Sequence, residues 1–237
     1  MMPQMRSHNL TKIDRMNGYL SYSRVHGDTR LNDAKMAEIA KGNRCNMRYH
    51  NITKDDMLNG DGLRVVLWVS GCEHCCRECQ NPITWDPEGG LPFDEAARQE
   101  IFQQLDKPYI SGITFSGGDP LHPANKGDVR KLMKEIREKY PDKTIWLYTG
   151  DVWEHLYKDS ILQYVDVLVD GEFEIEKKDV KLMWKGSSNQ RVIDVQASLK
   201  QENPARPVLH CPDYASAEDA WQDTSDGQNE RRTGCGE

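Results

Sequence analysis

Between residues 63 and 195, short apolar runs alternate with amphipathic stretches, and apolar positions thin out on either side. The run "LRVVLWVS" (63–70), bounded by Gly, predicts a buried strand. "DEAARQEIFQQL" (94–105) sets Ala97, Ile101, Phe102 and Leu105 on one helical face, with Asp94 placed to cap it. "ISGITFS" (110–116) reads as a strand ending in Gly-Gly, and "DVRKLMKEIREKY" (128–140) as a helix burying Val129, Leu132, Met133, Ile136 and Tyr140. "TIWLYTG" (144–150) predicts a strand, "DVWEHLY" (151–157) a short helix, "YVDVLVDG" (164–171) a strand and "RVIDV" (191–195) a last short strand. Strands alternating with helices predict a parallel sheet with right-handed crossovers. About five strand–helix units are too few for a closed eight-stranded barrel. The expected fold class is therefore α/β: an open partial (β/α) barrel with parallel strands, flanked by poorly ordered N- and C-terminal extensions.

The two ends differ in composition from this region. Residues 1–46 form a polar extension with no strand-like run, and residues 197–237 read as a mostly disordered acidic tail. From residue 200 onward there is no Ile, Phe or Met, which leaves little apolar area to offset ordering entropy. The domain is thus expected over 47–196, and truncation after Gln196 is expected to be harmless. Hydrophobic residues make up 37% of the chain and the mean hydropathy is -0.78, in keeping with some length outside any core. The net charge of -7 argues against broad attraction to nucleic acid or anionic lipid. No apolar run approaches the ~18 residues of a membrane span. The N-terminus lacks the apolar centre of a secretory signal, so a cytoplasmic location is expected. Seven cysteines in a reducing compartment point to metal or redox chemistry and not to a disulfide framework.

In parallel α/β folds the site lies beyond the C-terminal ends of the strands. "GCEHCCRECQN" (71–81), "GGDPLH" (117–122), "TGDVW" (149–153) and "DGEFE" (170–174) each follow a predicted strand, so they share one rim. Four cysteines in the first of these allow two parsings. Cys72-x2-Cys75 with Cys76-x2-Cys79 would close a four-thiolate zinc site, although such pairs usually come from separated segments. Cys72-x3-Cys76-x2-Cys79 leaves Cys75 spare and supplies three thiolates, one fewer than the usual protein ligands of a [4Fe-4S] cube. Gly117 and Gly118 permit close approach of backbone to a ligand, though Gly-Gly-Asp-Pro is also a good turn by itself. A branched side chain at Gly118 would then intrude on ligand space. His74 reads as a spacer and His122 as a structural hydrogen-bonding residue. Trp85 either lines the pocket or packs over the cysteine loop. "GSSNQR" (186–191) is either a donor-rich rim loop, with Arg191 facing a carboxylate or phosphate, or a solvated loop.

The set "NGDGLRVVLWVSGCEHCCRECQNPITW", "TFSGGDPLHPAN", "IWLYTGDVWEHL", "VDVLVDGEFE" and "WKGSSNQRVIDV" resembles the radical S-adenosylmethionine enzymes, and within them the activating proteins of anaerobic (class III) ribonucleotide reductase. The resemblance covers residues 47–195. It implies that Cys72, Cys76 and Cys79 hold a [4Fe-4S] cluster whose open iron binds S-adenosyl-L-methionine. Glu78, Cys79, Gln80, Gly117, Gly118 and Asp119 would contact that molecule, with Asp119 and nearby backbone meeting its ammonium group. Glu78 stands where this family often has Gly. The implied chemistry is cofactor-based, with no catalytic side chain. The implied partners are the large subunit of the reductase, as protein substrate, and a one-electron donor such as flavodoxin. Two alternatives remain open: an activator of another glycyl-radical enzyme of the pyruvate formate-lyase type, and a non-catalytic zinc-stabilised interaction module. "RMNGYLSYSRVHGDTRLNDAKMAEIA" (15–40) resembles the C-terminal glycyl-radical segment of the reductase, with Arg15, Gly18 and Tyr19 in its places; it is either a joined reductase tail or an accidental likeness.

Overall fold

The computed structural model describes residues 45–210; the readings for 1–44, including Arg15, Gly18 and Tyr19, and for 211–237 lie outside the described residues. The elements run β1 (Arg48–Asp56), β2 (Leu63–Val69), β3 (Leu91–Pro92), α1 (Glu95–Leu105), β4 (Ile110–Gly117), α2 (Lys126–Lys139), β5 (Thr144–Tyr148), α3 (Trp153–Leu156), β6 (Val167–Asp170), β7 (Arg191–Asp194), α4 (Val195–Leu199) and β8 (Val208–Leu209). They build a mixed α/β fold on one eight-stranded sheet in the order β3-β1-β2-β4-β5-β6-β7-β8.

The centre of the sheet matches the sequence pattern. Strands β2, β4, β5 and β6 pair in parallel, and α1, α2 and α3 fall in the crossovers between them. Val65, Leu67 and Val69 of β2, with Phe115, Leu147 and Leu168, join the main core, where they meet Ile101 of α1 and Leu132, Met133 and Ile136 of α2. Each such side chain contributes roughly 1.5–3 kcal/mol when fully buried. Asp94 caps α1 as expected, its carboxylate accepting from the Ala97 amide at 2.9 Å.

The alternate face of the sheet carries Trp146, Val167 and Val169, packed with Tyr148, Trp184 and Val192. Arg64 is fully buried on β2. Its guanidinium donates to Thr114 Oγ1, Thr144 Oγ1 and the carbonyls of Asp61, Ile113 and Thr144, all at 2.8–2.9 Å, and lies over the Trp146 ring. Hydrogen bonding to this many acceptors is what makes a buried guanidinium tolerable; burial nevertheless lowers its pKa to about 10.

Three departures from the sequence reading concern the edges. β1 and β3, which the apolar pattern did not predict, pair antiparallel on one side. β7 pairs antiparallel with β6, against the all-parallel expectation. The connection into it, 171–190, is long enough for a crossover but forms no α-helix: a 3-10 turn (Ile175–Lys177) and a Lys178–Ser187 bridge fold it back on itself, so the chain re-enters beside β6 in the opposite sense.

The fold also continues past Gln196. β8 pairs with β7, Ser198 is buried with its hydroxyl on the Asp194 carbonyl at 2.5 Å, and the indole of fully buried Trp153 donates to Pro204 O at 2.7 Å. His210 Nε2 lies 2.7 Å from Asp61 Oδ2. Truncation after Gln196 is therefore expected to destabilise the chain, contrary to the sequence reading. With a buried indole N–H orphaned and a strand removed, the loss should be on the order of 3 kcal/mol, or roughly 10 °C in Tm. A chain ending at His210 keeps every one of these contacts and serves as the comparison. Equal melting of the two would contradict this role for 197–210.

Candidate functional site

The four loops that follow the parallel strands meet at one rim. A cavity of about 630 Å³ opens there, lined by Cys72, Cys76 and Cys79, by Gln80, Asn81 and Trp85, by Gly117 and Gly118, and by Thr149 and Gly150. Its apolar lining includes Met57, Leu58, Trp68, Tyr148, Phe173 and Trp184. Cys75 is exposed and absent from the lining, with φ +50°.

The cysteine loop is held from behind. The Gly71 amide donates to Thr84 O at 2.7 Å and the Cys72 amide to Trp85 O at 3.1 Å. The turn after β4 is fastened to the same segment, with the Gly118 amide on Val69 O at 2.8 Å and the Asp119 amide on Gly71 O at 2.7 Å. Asn125, almost fully buried before α2, donates its side-chain amide to Ser70 O at 2.6 Å and Asp119 O at 3.1 Å. Gly117 has φ +103°, and a Cβ there would meet Val69 N and O at 2.7 Å. Gly118 needs its hydrogen for a different reason. A Cβ there would strike the Gly71 carbonyl oxygen and come within 2.8 Å of Thr84 O, so it would press first on the segment that carries the cysteines.

The three lining thiols suit an iron–sulfur cluster. Burial first, then the charges of Asp119, Cys76 and Cys79, pushes the Cys72 thiol up to about 11, and burial raises Cys76 as well. Left alone these groups stay protonated near neutral pH; a bound metal's positive charge is what converts such thiols to thiolates. The Asn81 amide donates to Cys79 Sγ at 3.4 Å. Among the described residues no three His, Cys, Asp or Glu side chains converge on a single-ion site. Ligands of one zinc would have to place their sulfurs about 3.8 Å apart, given Zn–S bonds of ~2.3 Å. Thiolates that each take a different iron of a cube are not so constrained.

The remaining sequence candidates take the following positions. Glu78 is exposed, outside the cavity lining, with φ +56°, a region that favours glycine. Asp119 is 4% exposed and its carboxylate is occupied. Oδ1 accepts from the Leu121 amide at 2.7 Å, while Oδ2 accepts from the Thr149 hydroxyl at 2.9 Å and lies 2.5 Å from His74 Nε2. The Arg191 guanidinium is bound to both Glu154 oxygens at 2.9 and 2.8 Å and to Asp170 at 3.0 and 2.5 Å, which leaves it committed within the fold. The 186–190 loop is tied inward: Gln190 accepts from the Gly186 amide at 2.9 Å and donates to Gly171 O at 2.9 Å. His122 Nε2 lies 3.3 Å from a Glu73 carboxylate oxygen, a structural bridge.

His74 is the site residue that the sequence reading passed over as a spacer. Its hydrogen bond to Asp119 raises its pKa to about 9 against the opposing effect of burial. The flanking acids in "GGDP" and "DGEFE" were the available signal, but only the fold brings them to one ring.

Comparison with known proteins agrees with this geometry. The family described as "4Fe-4S single cluster domain" matches residues 58–193. The chain is 43% identical over 150 residues to the anaerobic ribonucleoside-triphosphate reductase-activating protein of Pasteurella multocida, covering 61% of this chain and 95% of that one. It is also 43% identical over 150 residues to the protein of that name from Escherichia coli, covering 62% and 97%. The Vibrio cholerae protein of that name is 41% identical over 148 residues, covering 61% and 96%.

Proposed function

Because the chain belongs to the family of anaerobic ribonucleoside-triphosphate reductase-activating proteins, we propose that it activates an anaerobic ribonucleotide reductase by reductive cleavage of S-adenosyl-L-methionine, with hydrogen abstracted from a glycine of the reductase. The observation that carries this reading is the placement of Cys72, Cys76 and Cys79, without Cys75, on the same cavity as Gly117 and Gly118. When bound, a [4Fe-4S] cluster with one iron free of protein ligands supplies a coordination position for S-adenosyl-L-methionine and the electron for its cleavage.

The chain's own residues bind, orient and exclude water. Cys72, Cys76 and Cys79 hold the metal centre. Backbone at Gly117 and Gly118 meets the methionine end, with Asp119 acting from behind, and Cys79 and Gln80, which line the cavity where Glu78 does not, serve the adenine end. Trp68, Trp85, Tyr148 and Phe173 give the cavity apolar walls that keep water from a reactive intermediate. We read the sheet as an open partial barrel and residues 47–196 as the catalytic domain, completed by the strand at Val208–Leu209. The electron donor would be a flavodoxin-type protein. The site would work in the cytoplasm; among the described residues no helix is long and apolar enough to cross a membrane.

The reading is tested by anaerobic incubation of the iron-loaded chain with reductase, S-adenosyl-L-methionine and a reductant. A doublet EPR signal on the reductase is expected, dependent on all components. Its absence, while a pyruvate formate-lyase type enzyme is activated under the same conditions, would move the chain to that substrate.

A further inference from the structure

The ring of His74 stands inside the cysteine loop, yet it contacts three other rim loops. Nε2 lies 2.5 Å from Asp119 Oδ2 and Nδ1 3.2 Å from Glu172 Oε1. The His74 and Asp119 side chains are 21% and 5% exposed, so their contact is shielded, whereas the Glu172 side chain is 55% exposed and its contact is weakened by solvent. Asp119 is fixed in turn by Thr149 and by the Leu121 amide. The ring also abuts Gly150, where an added Cβ would come within 2.5–2.6 Å of Cδ2, Cγ and Nε2. One imidazole thus joins the loops that follow β2, β4, β5 and β6.

We propose that His74 is a positioning residue: its ring, bonded to Asp119 and packed against Gly150, sets the distance between the cysteine loop and the Gly117–Gly118 turn, and so where S-adenosyl-L-methionine meets the cluster. This rests on the site reading above. Asp119, with its carboxylate committed to His74, Thr149 and Leu121, then acts on the ligand through this brace and not by direct contact with the ammonium group. Residues that orient metal ligands from behind commonly matter by ~10–100-fold.

The test uses the full chain, loaded with iron and sulfide, as His74→Ala, His74→Gln, Gly150→Ala and the His74→Ala/Gly150→Ala pair. His74→Ala is expected to keep its iron and sulfide content but to bind S-adenosyl-L-methionine about tenfold more weakly by anaerobic titration. The change in the reduced cluster's EPR spectrum on adding the ligand should shrink in parallel. His74→Gln, which keeps one donor toward Asp119, should recover part of the loss. Gly150→Ala leaves every hydrogen-bonding side chain in place but crowds the ring, so it should weaken binding alone but add nothing in the His74→Ala background, a non-additivity that marks direct contact. In the metal-free chain, amide exchange over residues 71–81 should be faster for His74→Ala. Unchanged affinity and spectrum in His74→Ala, or fully additive effects of the pair, would overturn the proposal. Loss of the cluster itself in His74→Ala and His74→Gln would also overturn it, since His74 would then be a ligand. A wild-type chain that holds no cluster would instead remove the site reading on which the proposal stands.

Discussion

Cys72→Ala, Cys76→Ala and Cys79→Ala are each expected to abolish iron loading and to cut S-adenosyl-L-methionine cleavage by more than about 100-fold, while Cys75→Ala retains both; loss of even an outer partner of a metal site costs ~10–100-fold. The difference follows from position. Three of these thiols line the cavity, whereas Cys75 is exposed and held outside the lining. Iron and sulfide assays with the four purified variants check this. Cys75→Ala losing metal as completely as the others would favour two abutting CxxC pairs on one zinc.

Gly118→Val should fail at an earlier stage than ligand binding. Its Cβ would press on the backbone oxygens of Gly71 and Thr84, both of which belong to the segment that carries the cysteines. Backbone so placed cannot swing aside as a flexible side chain can. Overpacking of this kind costs roughly 1–3 kcal/mol, and here the displaced atoms set the thiol positions. The expected result is a low iron content together with a reduced Tm. Gly127→Ala is the control: nothing lies within 4 Å of a Cβ there, in the first turn of α2, so Tm should stay level or rise by the ~1 kcal/mol helix preference of Ala over Gly. Full cluster content with weakened ligand binding in Gly118→Val would restore the simpler view that this glycine only makes room for the ligand.

The central parallel strands, α1 with its Asp94 cap, and α2 were legible because their apolar periodicity reports burial directly. The rim was legible because Gly-rich and Cys-rich loops follow those strands. β1 was not, since of "RYHNITKDD" only Ile52 is buried; its pairing with β2 is a matter of backbone partners that composition does not reveal. The reversal at β7 and the pairing of β8 depend on how 171–190 turns back, again a non-local property. The partners of charged side chains were hidden for the same reason. Arg191 looked available to a ligand until Glu154 and Asp170 were brought to it, 37 and 21 residues away in sequence. His74 and Asp119, 45 residues apart, become one unit only through the β2–β4 pairing that stacks their loops.

If three thiols hold a cluster with an iron open to S-adenosyl-L-methionine, the chain reconstituted anaerobically with iron and sulfide should cleave that molecule once a strong reductant is added, and quantifying 5′-deoxyadenosine reads the outcome. The expected result is reductant-dependent release of 5′-deoxyadenosine with methionine, lost in Cys76→Ala and retained in Cys75→Ala. A chain that takes up one zinc through all four cysteines, remains colourless and releases no 5′-deoxyadenosine would contradict it.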